Sequence, residues 1–329
     1  MAVLSNIRGD TSVYLIPGDP VEQVRAPQVF NQIFQFLGIN AVLVPVHVAA
    51  GNIEVFVRSA FLAKNIRGMF LAIPHKSRVM GLLSHCNDYG RVAGAVNGVR
   101  RNPSGELEGG LFDGQGFVSS LDYFGIEYVG KRILILGAGG GASAIAASLF
   151  LAGSRAPAEI ALFDPVPGKA HAVASHIESA AKVHNKLPAG TRVVTAASSD
   201  PMGYDVVVNA SPLGLKSADP LPFDVSRLDA HAAVVDILMK NQPTPLVRAV
   251  RARHLVAQPG FEMLIQQAPD YLDFFGYTEA AQLVRQDATF IREHLYPPAL
   301  AGEIRRAAQP RHGLAVGHAL PDDQRLATL

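Results

Sequence analysis

The stretch RILILGAGGGASAIAASLF, residues 132–150, sets an apolar strand, a glycine-rich turn and a small-residue helix in immediate succession. That order suits the binding of a dinucleotide. Gly137 permits the tight turn, Gly139 lets backbone approach a pyrophosphate, and a small residue such as Ala142 allows close packing of helix on strand. Ala138, Gly140 and Gly141 complete the loop. The N-terminus of the helix that follows offers unpaired N–H groups and the positive end of its dipole to phosphate. A glycine triplet alone also occurs in an ordinary βα turn, and the flanking strand and helix are what raise it to a dinucleotide site. Asp164 follows the apolar run Glu159–Phe163, where a ribose-reading acid is expected roughly 20 residues beyond the glycines. A carboxylate there accepts hydrogen bonds from ribose hydroxyls and repels a 2′-phosphate, which predicts NAD rather than NADP. The first cation after it is Lys169, beyond Pro165, Val166 and Pro167. The same aspartate would also serve as a cap for a helix starting at Gly168.

The elements that must position this turn are legible as alternating short β-branched runs and helical stretches, the pattern of an α/β protein with parallel sheets. In the first half, strands are predicted at Ser12–Ile16, Ala41–Val46 and Gly68–Ile73, with helices over Pro27–Leu37 and Asn52–Ala63. Short strands and turns are expected over 92–112, then a helix over Gln115–Phe124. The second half gives strands at Arg132–Leu136, Glu159–Phe163, Arg192–Ala196, Asp205–Val208 and Ala233–Ile237. Helices are expected at Ala142–Leu151 and roughly Gly168–His184. From Phe261 to about His294 the pattern is wholly helical, which predicts that the chain leaves the second sheet and returns to pack on the first. Pro297–Pro298 ends that region, and Ala299–Leu329 is expected to add little core. The division that follows is an α/β domain over 1–113, completed by helices within 261–294. A Rossmann-type NAD-binding domain spans 114–260, and a tail covers 295–329.

Composition narrows the function classes. With 49% hydrophobic and 17% charged residues the chain can bury two cores, and a net charge of +1 without a basic stripe argues against nucleic acid or a membrane surface as partner. A single cysteine, Cys86, cannot form an internal disulfide and fits a reducing compartment. The N-terminus lacks a charged n-region followed by a long apolar stretch, and no run of about eighteen apolar residues is present. These features predict a soluble, cytoplasmic protein. His171 and His176 lie five apart, off a common helix face, and no Cys/His cluster has zinc spacing, so no metal is expected.

A series of local sequences resembles the shikimate/quinate dehydrogenase family over roughly residues 12–290. They are GDPV at Gly18–Val21, IPHK at Ile73–Lys76, GAVN at Gly94–Asn97 and a G-x-x-x-D segment ending at Asp113. The glycine turn follows, then NASPLG at Asn209–Gly214, TPL at Thr244–Leu246, and G-x-x-ML-x-x-QA from Gly260 to Ala268. The resemblance implies an active site in the cleft between a substrate domain and a cofactor domain, and a role in aromatic amino acid biosynthesis. It makes Lys76 and Asp113 the catalytic pair. The chemistry is coherent: oxidising a secondary alcohol removes a hydroxyl proton as hydride leaves carbon, and a lysine in a partly desolvated cleft suits general base work. The nearby aspartate orients the ammonium, while its charge opposes the effect of burial. His75 is read as structural. Asn97 and Gln267 are implied as hydrogen-bonding residues for substrate hydroxyls. Asn209, Ser211, Pro212 and Gly260 are implied on the cofactor side, and a homodimer is among the assemblies the resemblance allows.

The departures from the family pattern gather at the substrate. Val24 and Ala26 stand where the family carries a serine pair for the substrate carboxylate, with Arg25 between them as a candidate replacement clamp. Phe70, Leu71 and Ala72 replace Asn-Val-Thr, Leu111 and Phe112 precede the retained Asp113, and Gly98 stands where a threonine often follows the asparagine. A site built for several hydroxyls loses selectivity when its polar partners go. The expected function is therefore an NAD-dependent oxidoreductase acting on a cyclic or otherwise compact hydroxy acid, with shikimate at best a weak substrate. The alternatives are a classical shikimate/quinate dehydrogenase clamped by Arg25, and a nucleotide- or ligand-sensing homologue without turnover.

Overall fold

The computed structural model describes residues 7–185, 190–216 and 218–304. Its first sheet is built from β1 (Ser12–Gly18), β2 (Ala41–His47), β3 (Ile66–Phe70), β4 (His85–Cys86), β5 (Gly98–Arg101) and β6 (Leu107–Gly110). Their order across the sheet is β2-β1-β3-β5-β6-β4. β1 runs parallel to β2 and β3, and β5 is antiparallel to both β3 and β6. Between β1 and β2 lies α1 (Ala26–Phe36), with Val29, Phe30, Ile33 and Phe34 buried at the three-to-four spacing of one helix face. α2 (Ile53–Ala60) joins β2 to β3. The 92–112 region differs from expectation at its start, because α3 (Asp88–Ala93) precedes the two strands. Its signals are a side-chain cap from Asn87 to the Gly90 amide and a left-handed end at Gly94.

α4 (Asp113–Phe124) then leads to β7 (Arg132–Leu136), α5 (Gly140–Phe150), β8 (Glu159–Phe163), α6 (Lys169–Val183), β9 (Arg192–Thr195), β10 (Val206–Asn209) and β11 (Ala233–Asp236). Two elements were not anticipated, α7 (Pro245–Arg251) and β12 (Val256–Pro259). The second sheet has the order β12-β11-β10-β7-β8-β9, and every pairing in it is parallel. The chain winds outward one way from β7 to β9 and the other way from β10 to β12. The switch point of this doubly wound sheet therefore lies between β7 and β10, where Leu136 pairs with Asn209. Ligands of such sheets lodge beyond the carboxyl ends of the strands at that crevice.

The last helices, α8 (Phe261–Gln266), α9 (Ala268–Phe274), α10 (Thr278–Gln286) and α11 (Thr289–Leu295), return to the first sheet. Ile265, Leu272, Val284 and Ile291 share one core with Tyr14, Phe30 and Phe70. The expectation of little core beyond Ala299 is corrected in part: Leu300, in a short 3-10 segment over Pro298–Glu303, is buried in the same cluster. Arg251 pins that segment by a bidentate pair to Glu303 at 2.6 and 2.9 Å. The rest of that tail, 305–329, lies outside the described residues. Among the described residues, no helix is long and apolar enough to cross a membrane.

Candidate active site

The glycine turn sits at the switch point. Gly137 has φ of 102°, a backbone that L side chains rarely adopt, and a Cβ there would stand 2.7 Å from the Ala210 carbonyl oxygen. Glycine is needed on both counts. Gly139 caps α5 without any side-chain hydrogen bond, and a Cβ on it would meet nothing within 4 Å. There is thus open space beside the start of α5, where unpaired amides can meet a pyrophosphate. Ala142 is fully buried, which lets α5 pack closely on β7 and β8.

Asp164 does not cap α6; Gly168 occupies that position without a side-chain bond. Its carboxylate turns back to the glycine turn, accepting from the Ala138 amide at 2.9 Å, the Val166 amide at 3.0 Å and Lys169 Nζ at 3.0 Å. Burial pushes its pKa up, but these hydrogen bonds outweigh burial and hold it below the ordinary carboxylate range. The lysine that sequence set five residues away is folded onto the acid. Across the crevice, Asn209 Oδ1 accepts from the Ser211 amide at 3.2 Å and hydroxyl at 2.6 Å, while its amide donates to the Leu213 carbonyl at 3.0 Å. Pro212 is exposed in the same loop. Gly260 owes its size to packing, since a Cβ would stand 2.5–2.6 Å from backbone atoms of Ile237.

Lys76 and Asp113 meet. Lys76 Nζ donates to Asp113 Oδ2, and both side chains are mostly buried. Asp113 is the first residue of α4 rather than its cap, a place taken by Phe112. Two glycines put it there. A Cβ on Gly114 would overlap the Ala144 carbonyl of α5, and one on Gly116 would overlap the Met263 carbonyl and come within 2.8 Å of Gln267 Cβ. α4 is thereby wedged between the cofactor helix and α8. Lys76 is held from the other side, its carbonyl accepting from the Val96 amide at 2.9 Å. A Cβ on Gly140 would lie 3.8 Å from Lys76 Cδ, so the pair stands against the glycine turn. His75 is fully buried beside it, and that burial lowers its pKa.

The other substrate candidates divide. Asn97 and Gln267 come together, with Asn97 Nδ2 donating to Gln267 Oε1 at 3.1 Å. Both are buried and largely engaged: Asn97 Oδ1 accepts from the Phe112 amide at 3.0 Å, and Gln267 Nε2 donates to the Met263 carbonyl at 3.2 Å. Tyr271, which the sequence did not single out, lies under them and donates to the Asn97 carbonyl at 2.8 Å. Phe70 points into the core, stacked on Tyr271 with ring centres 4.3 Å apart, and Phe112 packs on the same ring at 4.7 Å. Ala72 and Val24 are half-buried and apolar against this cluster. Arg25 precedes α1 and donates to Gln28 Oε1 at 3.3 Å on the surface.

With this geometry in place, the relatives are informative. The sequence pattern of the shikimate dehydrogenase substrate binding domain matches residues 16–99. The shikimate dehydrogenase (NADP(+)) of Rubrobacter xylanophilus is 36% identical over 262 residues, covering 79% of this chain and 89% of that protein. Among solved structures, shikimate dehydrogenase from Aquifex aeolicus has a TM-score of 0.72 at 24% identity, over 85% of this chain and 100% of that one. The ligand-free 5-ketofructose reductase of Gluconobacter sp. strain CHM43 has a TM-score of 0.69 at 25% identity, over 84% and 98%.

Proposed function

The chain belongs to the shikimate dehydrogenase family, and from that premise we propose that it transfers hydride reversibly between NAD and a secondary alcohol of a cyclic hydroxy acid, with Lys76 and Asp113 as the acid–base pair. It is an oxidoreductase that uses a nicotinamide dinucleotide. The observation that carries the finer reading is the position of Lys76, bonded to Asp113 on one side and lying against Gly140 of the dinucleotide turn on the other.

A bound nicotinamide supplies the hydride acceptor for alcohol oxidation and the donor for ketone reduction. Lys76 takes the hydroxyl proton as the carbonyl forms and returns it in the reverse direction. Asp113 aligns the lysine and accepts from the ammonium, and its place is set by the close approach of α4 to α5 at Gly114 and to α8 at Gly116, which any Cβ there would prevent. Leu111 and Phe112, which lead directly into Asp113, are buried and limit water on that side of the pair, which strengthens its electrostatics.

The NAD preference is supported by the ionised Asp164 at the end of β8. Lys169 at 3.0 Å from it supports the second reading, an NADP site of the kind named for the Rubrobacter relative. Steady-state assays with each dinucleotide and a panel of cyclic hydroxy acids test both. Turnover that Lys76→Ala abolishes is expected. No turnover with any member, or turnover that Lys76→Ala leaves intact, refutes the reading.

A further inference from the structure

Asp236 ends β11 and is completely buried, yet the acid–base chemistry does not use it. It accepts three hydrogen bonds: from Asn209 Nδ2 at 3.0 Å, from the Leu238 amide at 3.2 Å and from Thr244 Oγ1 at 2.6 Å. Asn209 in turn holds the Ala210–Gly214 loop through Ser211 and Leu213. That loop is what Gly137 packs against, since a Cβ at Gly137 would strike Ala210 and approach the Ser211 amide at 3.0 Å. A continuous chain of contacts therefore runs from Thr244 through Asp236 and Asn209 to the glycine turn, across the ends of β11, β10 and β7.

We infer that Asp236 is a positioning residue for the dinucleotide, fixing through Asn209 the loop that faces the glycine turn. The inference rests on the dinucleotide reading of that turn. All three bonded groups donate, so the carboxylate acts here purely as an acceptor, the form it has when ionised. The groups bonded to it are neutral on every side: Asn209 from β10, Thr244 from the start of α7, and the backbone of Leu238. Burial raises its pKa to about 6 despite the hydrogen bonds from these neutral groups. Protonation puts a hydrogen on one oxygen, and one donor, most simply the Thr244 hydroxyl, must turn away. Buried acids are commonly avoided; this one is kept where the second sheet meets its ligand.

The test is dinucleotide binding to the purified full-length protein by titration calorimetry, with NAD and NADP each as probe, from pH 5 to 8. In the wild type, binding should weaken as pH falls through about 6. Asp236→Asn keeps the shape and one acceptor oxygen but removes the charge. It is expected to raise the dissociation constant about tenfold at pH 7.5, the size of one charge-assisted hydrogen bond, and to flatten the dependence on pH. Thr244→Val removes one donor and leaves the acid, and should give a smaller rise with the dependence on pH retained. Binding by both variants that matches wild type at every pH, whatever their melting temperatures, would overturn the inference alone. Failure of the wild type to bind either dinucleotide would overturn the functional reading together with it.

Discussion

At the carboxyl ends of the second sheet, Asp164 and Asp236 each accept three hydrogen bonds and Asn209 Oδ1 accepts two, and the donors include the amides of the glycine turn and of the loop opposite it. At the corresponding ends of the first sheet stand Phe70, Leu71 and Ala72, with Leu111 and Phe112 across from them, all but Ala72 buried. The buried polar pair there, Asn97 with Gln267, is closed on itself and on main chain. A prearranged set of polar groups suits a ligand of fixed chemistry, which a dinucleotide is. An apolar wall constrains shape more than pattern. Lys76 and Asp113 meet beside the glycine turn, between these surfaces, and under the proposed function they keep the reaction while the apolar wall alters the substrate.

The largest effect that would sharpen this contrast is at this pair. Lys76→Ala should lower kcat/KM by about 10²–10⁴ with the dissociation constant for dinucleotide unchanged, measured by steady-state kinetics and calorimetry on the same preparation. A parallel loss of dinucleotide affinity would mean that Lys76 belongs to the cofactor side. Next is Phe70→Asn, which restores the family's polar residue. Because Phe70 is locked among Tyr271, Phe30 and Phe275, the change should destabilise the fold by about 3–5 kcal/mol in urea unfolding. A loss below about 1 kcal/mol would place position 70 on a wet pocket wall and break the contrast. Gly114→Ala is expected to lose about 1–3 kcal/mol, because its neighbour is α5 backbone, which cannot rotate away as a side chain would.

How much of this was legible follows from how local each signal is. β7 and the turn after it are written in consecutive residues, an apolar run and then glycines, and they appear where expected. α7 had a readable start in Thr244–Pro245, with the threonine hydroxyl accepting from the Val247 amide, but the preceding Asn241–Pro243 turn obscured it. β12 is four residues ending in proline, too short for a periodic pattern. Lys76 and Asp113 are 37 residues apart, and only the family resemblance joined them before the fold did. Asp236 left no trace, because an acid after three apolar residues looks the same at a wet strand end as at a buried one. Tyr271 reads as ordinary helix core, and its bond to the Asn97 carbonyl spans 174 residues. Lys169 was visible as a cation, but spacing alone did not show that the Pro165–Pro167 turn folds it back onto Asp164.

That last pair yields the smallest expected effect. Asp164 pins the Ala138 amide of the glycine turn, and the proposed function gives it a second task, a negative charge facing the adenosine ribose. Asp164→Asn separates them, since an amide oxygen can still accept from Ala138 but repels no phosphate and holds no Lys169. The ratio of NADP to NAD dissociation constants should fall about five- to tenfold, roughly 1 kcal/mol, with Lys169 released to meet a 2′-phosphate. The acid limb gives an independent check. Asp164 has its pKa depressed in the fold, so its contribution to stability is fully present above the unfolded carboxylate value of about 4 and is lost as pH falls through the folded one. The stability gap between wild type and variant should therefore be constant from pH 8 to 5 and close below about 4. If the gap closes as described while the dinucleotide ratio does not move, the acid is a strut of the glycine turn and nothing more. Discrimination between the two cofactors would then have to come from groups other than this pair, and the cofactor side would be no more committed than the substrate side it faces.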